Sequence, residues 1–485
     1  MISKYLSIDI GASSGRAVVV IKDKQTLRLD EAYRFKTKSY EKDGLHYWDF
    51  NDLFREVVTG IEKAFFLHED IKSIGIDTFG VDYGRLDQNG SLTSDPLCYR
   101  NKRFIESSTL FHESYSKEAL NILTGIQYLP FNTIYQLYDH AMHNQLNNQE
   151  TILLLPNLIG YFLTGNKQTE VTNASTTALY DSRTNRFVET LFEVDKQNIS
   201  FASLVNPGVI LGETLETFNF PKTPVINVCS HDTASAFVST RILKNQALIS
   251  SGTWSLVGTL LSKPKRSKEA LRCNFTNELG YLGQTRFLKN IMGMWLINES
   301  RSELMKSNED LSFFDLEKKA ISSEPFLAFI DPDDEIFLTK GSMLERMRTY
   351  LEKSNQNIPI KTEGMLRVIY ESLAFKYRYT IEQLEKVLQR PMDEILIIGG
   401  GSQSKLLNQM TANFCKKRVI TGAVEATVLG NAIVQMHYFK EIKTIKSGQT
   451  LIEKSFKGTV YEPTECEACE EAYERFLKLI EGDKS

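Results

Sequence analysis

Several short segments of the 485-residue chain combine carboxylates, hydroxyls and glycines in patterns that suit phosphoryl transfer. In the first, DIGASSGR at residues 9–16, an acidic residue ends a strand-like run and a glycine-rich turn follows. Glycine lets backbone N–H groups approach phosphate oxygens, and Ser13, Ser14 and Arg16 add further donors. Asp9 could hold Mg²⁺ directly or through water, because this ion takes few carboxylates and keeps several waters. The alternative is a tight hairpin with an exposed polar turn.

The second segment, SHDTAS at residues 230–235, follows an apolar run from Pro224 to Val228 and precedes a helix-like stretch. Asp232 therefore stands where a strand ends and a helix begins, a frequent place for ligands in α/β folds. A carboxylate there could accept the proton of an attacking hydroxyl. Taken alone, the segment favours a helix cap instead, because Ser and Asp are common N-cap residues. His231 and Asp232 do not make a hydrolase triad, since adjacent side chains rarely point at each other.

Two further segments are weaker signals. GGGS at residues 399–402 separates a strand from a helix, so that an adenine and its ribose could approach the backbone closely. A flexible tight turn is the alternative. DTFGVD at residues 77–82 places two carboxylates after a strand, where sugar hydroxyls could pair with them, although an acidic turn is also commonplace at such a position.

Strands and helices alternate around these segments, which predicts an α/β fold. Apolar runs predict strands at Tyr5–Ile10, Ala17–Ile21 and Ile71–Ile76, and helical spacing predicts a helix from Phe50 to Phe65. The second half continues the pattern. Its predicted elements are a helix at Met365–Arg390, a strand at Glu394–Ile398, a helix at Lys405–Phe414, a strand at Arg418–Thr421 and a helix at Glu425–Met436.

The opening strand–turn–strand unit has a counterpart about 240 residues later. There, the strand-like run Gln246–Ser250 is followed by a small polar turn and by the apolar run Leu256–Leu261. The spacing indicates either two similar domains or a coincidence, since hairpins with Gly and Ser are common. The length of the chain also favours two domains, and we predict residues 1–240 and 241–485.

Composition and charge exclude some classes of function. The formal net charge of -4 and the pI near 6.1 argue against a nucleic-acid-binding surface, which usually needs a basic excess. No secretory signal and no apolar run long enough for a membrane span occur, so we expect a cytoplasmic protein without a membrane partner.

The cysteines do not form the framework of a small disulfide-rich protein. Cys98, Cys229, Cys273 and Cys415 each stand alone in mixed or apolar surroundings and are expected to be reduced and buried. Cys466 and Cys469 form a CxxC pair without a second ligand pair or a thioredoxin-like setting. We interpret that pair as structural rather than redox-active or metal-binding.

Taken in order, these segments resemble the FGGY carbohydrate kinases. The similarity extends from Asp9 to about Gly430 and rests on DIGASSGR, GIDTFGVDYG, YRNKR, GIQYLPFNTIYQL, SHDTASA, SSGTWSLVG, LKNIMGMWL and IIGGGSQSKLLNQ. It is strongest to the members that phosphorylate L-rhamnulose. The resemblance implies a two-domain actin-like, ribonuclease-H-like fold with ATP and sugar in the cleft. It also implies that ATP and Mg²⁺ are used to convert L-rhamnulose to L-rhamnulose 1-phosphate in L-rhamnose catabolism.

The same resemblance assigns roles to individual residues. Asp232 would be the catalytic base and Asp9 the residue toward Mg²⁺. Asn298 stands where a relative has Gln as a nucleotide contact, and Phe79 replaces a Trp near the sugar side. The residues expected to contact ATP are Ala12, Ser13, Ser14, Gly15, Arg16, Thr253, Asn298 and Gly400. The residues expected to contact the ketose are Gly80, His231, Asp232, Thr233 and Asn290.

Other functions stay open at this level. The chain could phosphorylate another ketose, such as L-fuculose or L-xylulose. It could also be a non-catalytic sugar sensor, or an assembly protein, on the same fold. A sensor need not keep both Asp9 and Asp232, which favours an enzyme. The sequence leaves both a monomer and a homodimer possible.

Overall fold

The computed structural model describes residues 2–147, 149–188, 191, 200–307 and 311–482. The fold is mixed α/β, as the alternation of patterns predicts. The chain divides into two compact units built from interleaved segments. Unit 1 comprises Met1–Arg241, Leu260–Phe287 and Ala426–Phe456, and unit 2 comprises Ile242–Thr259, Leu288–Glu425 and Lys457–Ser485. The domain boundary between residues 240 and 241 stays a prediction.

The strands of the described residues are numbered along the chain. They are β1 Ile2–Ile10, β2 Ser14–Asp23, β3 Thr26–Lys36, β4 Ser39–Lys42, β5 Leu45–Trp48, β6 Ile71–Thr78, β7 Tyr83–Leu86, β8 Thr151–Leu154, β9 Thr169–Glu170, β10 Tyr180–Asp181, β11 Arg186–Phe187, β12 Ser200–Phe201, β13 Leu204–Val205, β14 Val209–Glu213, β15 Pro224–Asn227, β16 Gln246–Ser251, β17 Trp254–Leu261, β18 Thr276–Leu279, β19 Thr285–Met292, β20 Glu394–Ile398, β21 Arg418–Thr421 and β22 Val460–Tyr461.

The α-helices are numbered in the same way. They are α1 Phe50–Leu67, α2 Arg103–Ser114, α3 Lys117–Thr124, α4 Thr133–Met142, α5 Leu155–Thr164, α6 Val171–Ala174, α7 Asp232–Val238, α8 Lys268–Arg272, α9 Trp295–Ser307, α10 Phe313–Ile321, α11 Met343–Lys353, α12 Thr362–Leu388, α13 Lys405–Cys415, α14 Ala426–Tyr438, α15 Ile445–Ser455 and α16 Cys469–Glu481.

Unit 1 is built on a six-stranded sheet with the order β14-β15-β6-β1-β2-β3. Strands β1 and β2 pair antiparallel, whereas β1, β6 and β15 run parallel. Alternate residues of β1 face opposite sides of the sheet. Leu6, Ile8 and Ile10 join the apolar core that includes residues of α1, while Ser7 is hydrogen-bonded to Asn431 of α14. Helices therefore cover both faces of this sheet.

Unit 2 repeats that plan. Strands β16 and β17 pair antiparallel around the second polar turn, and β16 continues through parallel β20 and β21 to antiparallel β22. The run from β2 to β14 in unit 1 has the same order and the same directions. The repeated hairpin thus belongs to two similar sheets and is not a coincidence.

Most predicted elements are present within a few residues of their expected bounds. Strands β20 and β21 have the predicted limits, and α1 extends the predicted helix by only two residues. Asp49 caps α1 by accepting a hydrogen bond from the backbone N–H of Asp52 at 2.9 Å. Among the described residues, no helix is both long enough and apolar enough to cross a bilayer.

The isolated cysteines are free and buried, as predicted. Cys466 and Cys469 are joined in a disulfide at the start of α16, which the sequence analysis did not predict. A local CxxC pattern shows that two sulfurs can meet but does not set their redox state.

The packing of α14 against α7 depends on a glycine. A Cβ atom at Gly430 would overlap the backbone carbonyl oxygen of Ser235 in α7. The two helices can therefore approach only because position 430 has no side chain. Helix α7 begins at Asp232, so this contact also fixes the place of that carboxylate.

We predict that Gly430→Ala lowers the free energy of unfolding by about 1–3 kcal/mol, because the added methyl group must push α7 away. Alanine has the higher helix propensity, so a purely local effect would raise stability instead. Thr427→Ala, on the same helix, adds no atom and should stay within about 0.5 kcal/mol of the parent. Urea unfolding of the three proteins measures this. Equal stabilities would contradict the packing argument.

Candidate active site

Three carboxylates of unit 1 lie near the carboxyl ends of parallel strands. Asp9 and Asp77 are register partners on β1 and β6. Asp232 is the first residue of α7 and follows β15 in the chain. Parallel strands end at the same edge of a sheet, so the fold gathers these acidic residues even though they are far apart in sequence.

The carboxylates of this group differ in their hydrogen-bond partners. Arg16 donates to Oδ2 of Asp9 from Nε at 2.9 Å and from Nη2 at 2.7 Å. Asp77 is fully buried, and Asn431 of α14 donates to its Oδ2 at 2.5 Å. Within the described part of the chain, Oδ1 of Asp77 has no hydrogen-bond partner. Burial and the charge of Asp9 raise the pKa of Asp77 well above its ordinary value.

Asp232 differs from Asp77 because 30% of its side chain remains accessible. Its Oδ1 accepts hydrogen bonds from the backbone N–H of Thr233 at 2.5 Å and from the Thr233 hydroxyl at 3.1 Å. The surrounding protein atoms desolvate the carboxyl, and the charge of Asp9 adds to this, so the pKa of Asp232 rises to about 7. A pKa near the working pH is what a general base needs.

The helix-cap interpretation of SHDTAS is wrong. His231 occupies the N-cap position of α7, and no side chain makes the capping hydrogen bond. Ser230 is engaged elsewhere, with Glu170. The buried Glu170 carboxylate accepts from the N–H of Ser230 at 2.9 Å and from its hydroxyl at 2.7 Å. It also accepts from the N–H and the hydroxyl of Thr172 at 2.8 Å and 2.6 Å. Glu170 therefore fixes the backbone that carries His231 and Asp232.

The ketose-contact residues predicted in unit 1 lie close to residues 230–232, the segment that Glu170 holds. His231 forms a parallel β-bridge with Thr78, the residue that ends β6. Gly80 follows shortly after, and a Cβ atom there would lie 2.9 Å from the Thr176 hydroxyl oxygen. Thr233 holds Asp232 as described. The structure thus brings Gly80, His231, Asp232 and Thr233 into one region of unit 1.

Asp82 does not offer a free carboxylate to a sugar. Its oxygens accept from Trp48 Nε1 at 2.7 Å, from Gln136 Nε2 at 2.8 Å and from the backbone N–H of Tyr99 at 3.1 Å. Burial raises the pKa of Asp82 to about 7. These bonds position two aromatic rings beside Phe79. The ring of Phe79 lies 5.1 Å from that of Trp48 and 5.8 Å from that of Tyr99, measured between centroids.

The residues predicted to contact the nucleotide in unit 2 form a second group. The carbonyl oxygen of Thr253 accepts from the backbone N–H of Trp295 at 3.1 Å, and that of Gly252 from Met294 at 2.9 Å. This ties the polar turn to the start of α9, on which Asn298 is half-buried. Asn290 is half-buried on β19.

The triple-glycine turn packs directly against the same region of unit 2. Gly399 has a φ of +82°, and a Cβ atom at Gly401 would overlap the side chain of Ser251. Gly400 is exposed, with open space where a side chain would be. Glu317 of α10 secures the turn by accepting from the hydroxyl of Ser404 at 2.6 Å. The structure therefore places the turn that carries Gly400 against Ser251, two residues before Thr253, with an open face at Gly400.

Sequence reasoning missed several of these contributors. Glu170, Glu317 and Asn431 are buried polar residues whose partners lie far away in the chain. Asp77 was noted as a carboxylate but not as a neighbour of Asp9. A polar residue inside an apolar stretch, as at Asn431 in α14, is the one local signal that could have directed attention to them.

Comparisons with known proteins identify the family. The model of the FGGY carbohydrate kinase N-terminal domain matches residues 4–239, and that of the C-terminal domain matches residues 247–439. The chain is 37% identical over 465 residues to the rhamnulokinase of Bacillus subtilis (strain 168), covering 95% of each protein. It is 38% identical over 467 residues to that of Lactiplantibacillus plantarum, covering 95% of this chain and 94% of the relative.

Solved structures agree on the fold. A ligand-bound xylulose kinase from Lactobacillus acidophilus aligns with a TM-score of 0.79 at 16% identity, covering 99% of this chain and 97% of that one. A Plasmodium falciparum glycerol kinase with ADP aligns with a TM-score of 0.77 at 15% identity, covering 100% and 99%. The chain belongs to the FGGY family of carbohydrate kinases and is an ATP-dependent sugar kinase.

We predict that Glu170→Gln lowers the free energy of unfolding by about 1–3 kcal/mol, because the amide cannot accept all of the hydrogen bonds made by the carboxylate. Amide hydrogen exchange at Ser230 and His231 should also accelerate more than exchange in the sheet. Glu150→Gln, which changes a buried carboxylate paired with Arg85, should leave exchange at those two amides unchanged. Equal acceleration in both variants would contradict a local role for Glu170.

Proposed function

We propose that the protein transfers the γ-phosphoryl group of ATP to L-rhamnulose, giving L-rhamnulose 1-phosphate and ADP, as a cytoplasmic step of L-rhamnose catabolism. The relatives named above are rhamnulokinases and align over nearly the whole chain. The observation that carries the reaction itself is the position of Asp232, an accessible carboxyl with a pKa of about 7 beside two further carboxylates.

In the proposed reaction Asp232 is the general base. The 1-hydroxyl oxygen of the ketose attacks the γ-phosphorus in line, its proton moves to Asp232, and the bond from phosphorus to the bridging oxygen of ADP breaks. The two hydrogen bonds from Thr233 hold Oδ1 in place and leave Oδ2 to receive the proton. A raised pKa makes Asp232 a better proton acceptor than an ordinary surface aspartate.

The phosphate contacts follow from the two polar turns. Backbone N–H groups of residues 12–16, the hydroxyls of Ser13 and Ser14, and Thr253 would offset charge on the phosphoryl oxygens. Arg16 is ion-paired with Asp9, so a phosphate would compete with that carboxylate for the guanidinium. The open face of Gly400 suits the nucleoside, with Asn298 as a further contact in unit 2.

The donor set also fits Mg²⁺. Among the described residues, no cluster of three or more acidic, histidine or cysteine side chains suited to a metal occurs. Mg²⁺ bound with a nucleotide needs only one or two carboxylates, because phosphates and waters complete its shell. Asp9 would hold it, and its register partner Asp77, whose buried Oδ1 lacks a hydrogen-bond partner in the described chain, lies beside it. The ion would neutralise charge on the phosphates.

The sugar would lie against Gly80, His231, Thr233 and Asn290. The half-buried ring of Phe79, packed on the buried rings of Trp48 and Tyr99, supports a 6-deoxyketose, because an apolar surface favours a methyl group over a hydroxymethyl group. L-Rhamnulose differs from L-fructose in that one group. The aromatic contacts thus give a physical reason for a preference that the relatives' names alone cannot supply.

We predict that Asp232→Asn lowers kcat by about three orders of magnitude, because the amide cannot accept the proton. ATP affinity should change little, since Asp232 does not contact the nucleotide in this proposal. Asp70→Asn, at an exposed carboxylate paired with Lys4, should keep the parental rate. ADP release and ATP binding measure both effects. Near-parental turnover in folded Asp232→Asn would remove this residue from the base role.

We predict that L-rhamnulose is phosphorylated with a higher kcat/KM than L-fuculose, L-xylulose or L-fructose. Phe79→Ala should reduce the preference for L-rhamnulose over L-fructose by about 3- to 10-fold, because one methyl contact is lost. Phe218→Ala, at an aromatic residue that packs on Phe54 and Phe220, should not change that ratio.

ADP release measured with this panel of sugars separates the alternative functions. Preference for another ketose would be consistent with the kinase chemistry but would contradict L-rhamnulose as the substrate. Absence of turnover with every sugar, despite sugar binding, would favour the sensor.

A further inference from the structure

One arginine of unit 1 is completely buried next to His231. Arg286 lies on β19, and none of its surface is exposed. Its Nε donates to the carbonyl oxygen of Leu279 at 2.9 Å, and its Nη1 forms an ion pair with Oε2 of Glu278 at 2.9 Å. Its Nη2 lies 3.1 Å from Nδ1 of His231. A buried guanidinium is costly to desolvate, so this set of contacts calls for an explanation.

The chemistry of the guanidinium decides which nitrogen of His231 carries the proton. Arginine has only hydrogen-bond donors, so Nδ1 must be the acceptor in its contact with Nη2. A neutral imidazole that accepts through Nδ1 carries its proton on Nε2. Burial and the charge of Arg286 also lower the pKa of His231 well below its ordinary value, which keeps the ring neutral.

Glu278 would favour the opposite arrangement if it acted alone. Its Oε2 lies 3.5 Å from Nδ1 of His231, and a nearby carboxylate normally attracts a proton to that nitrogen. In the structure the same oxygen is closer to Arg286, at 2.9 Å. The arginine therefore stands between the two possible tautomers of His231, and its presence selects one of them.

The Nε2 atom that carries the proton lies beside the proposed catalytic base. Nε2 of His231 lies 3.4 Å from Oδ1 of Asp232. We propose that Arg286, held by Glu278, is a positioning residue that fixes His231 as a neutral imidazole with its proton on Nε2, so that His231 donates a hydrogen bond to a ketose oxygen beside the hydroxyl that Asp232 deprotonates. The ketose part of this inference rests on the proposed function, whereas the tautomer does not.

The test is nitrogen NMR of the full chain labelled with ¹⁵N-histidine. It has seven histidines, and His231→Asn assigns the signal of interest. The parent protein should show a neutral His231 with the proton on Nε2 throughout the range from pH 6 to pH 8. Arg286→Met removes the donor and leaves Glu278 facing Nδ1. The proton should then move to Nδ1, or the ring should become charged within that range.

A double variant tests the same logic in reverse. In Arg286→Met with Glu278→Gln, the new amide N–H can donate to Nδ1 and should restore the proton to Nε2. The matched control is Arg85→Met, which removes another buried arginine of unit 1, paired with Glu150, and should leave the His231 spectrum unchanged. Rescue by the double variant would not follow if Arg286 merely filled space.

Kinetics supply the second readout. Arg286→Met should raise KM for the ketose by at least about tenfold, the loss of one hydrogen bond, while KM for ATP stays within about twofold. The double variant should recover most of the loss. Parallel changes in both KM values, or an equal effect of Arg85→Met, would overturn the positioning role.

The outcomes remain distinct from those of the proposed function. A proton on Nδ1 in the parent protein overturns the inference even if Arg286→Met fails to fold, and so does an unchanged tautomer in a folded Arg286→Met. Failure of every ketose in the activity panel would instead contradict the substrate proposal, and the NMR result would still decide the tautomer.

Discussion

The gathering of three carboxyl groups at one edge of the unit 1 sheet is the constraint on which the rest of the site depends. Asp9 and Asp77 are register partners on adjacent parallel strands, and Asp232 follows a third. Burial raises the pKa values of Asp77 and Asp232, and the charge of Asp9 adds to this effect. Such an arrangement costs free energy, and it persists only where contacts with the surrounding chain hold it in place. It also leaves a carboxyl poised to exchange a proton near neutral pH.

The surrounding chain stabilises these carboxyl groups mainly with hydrogen-bond donors at fixed positions rather than with many cations. Arg16 is ion-paired with Asp9, Asn431 donates to Asp77, and Thr233 donates to Asp232. Helix α14 can bring Asn431 to the sheet only because Gly75 and Gly430 have no side chains in its way. Glu170 and Arg286 then hold residues 230–232, the segment that contains His231 and Asp232. Stability and chemistry therefore depend on the same contacts.

Local patterns predicted much of this molecule. Strands β20 and β21 carry short apolar runs beside glycines, and their limits agree with expectation. The two hairpins were visible as a repeat, although only the matching strand order of both sheets excluded a coincidence. The family segments also directed attention to Asp232 and Gly400. These features share one property, namely that the residues which define them are close together in the sequence.

The contacts that tune the site could not be predicted in this way. The hydrogen bond from Asn431 to Asp77 joins residues 354 positions apart, and that from Ser230 to Glu170 joins residues 60 apart. No local period marks such partners, because burial and pairing arise only in the folded chain. For the same reason, SHDTAS taken alone favoured a helix cap, whereas Ser230 is in fact held by Glu170.

The most direct test of the account is a titration of the Asp232 carboxyl. Carbon NMR of protein labelled at the aspartate side-chain carboxyl carbons, with Asp232→Asn for assignment, gives its pKa in the absence of nucleotide. The account predicts a midpoint near pH 7, raised by desolvation and by Asp9. A midpoint close to the ordinary aspartate value of about 4 would contradict it, because Asp232 would then be a solvated carboxylate without the properties of a tuned base.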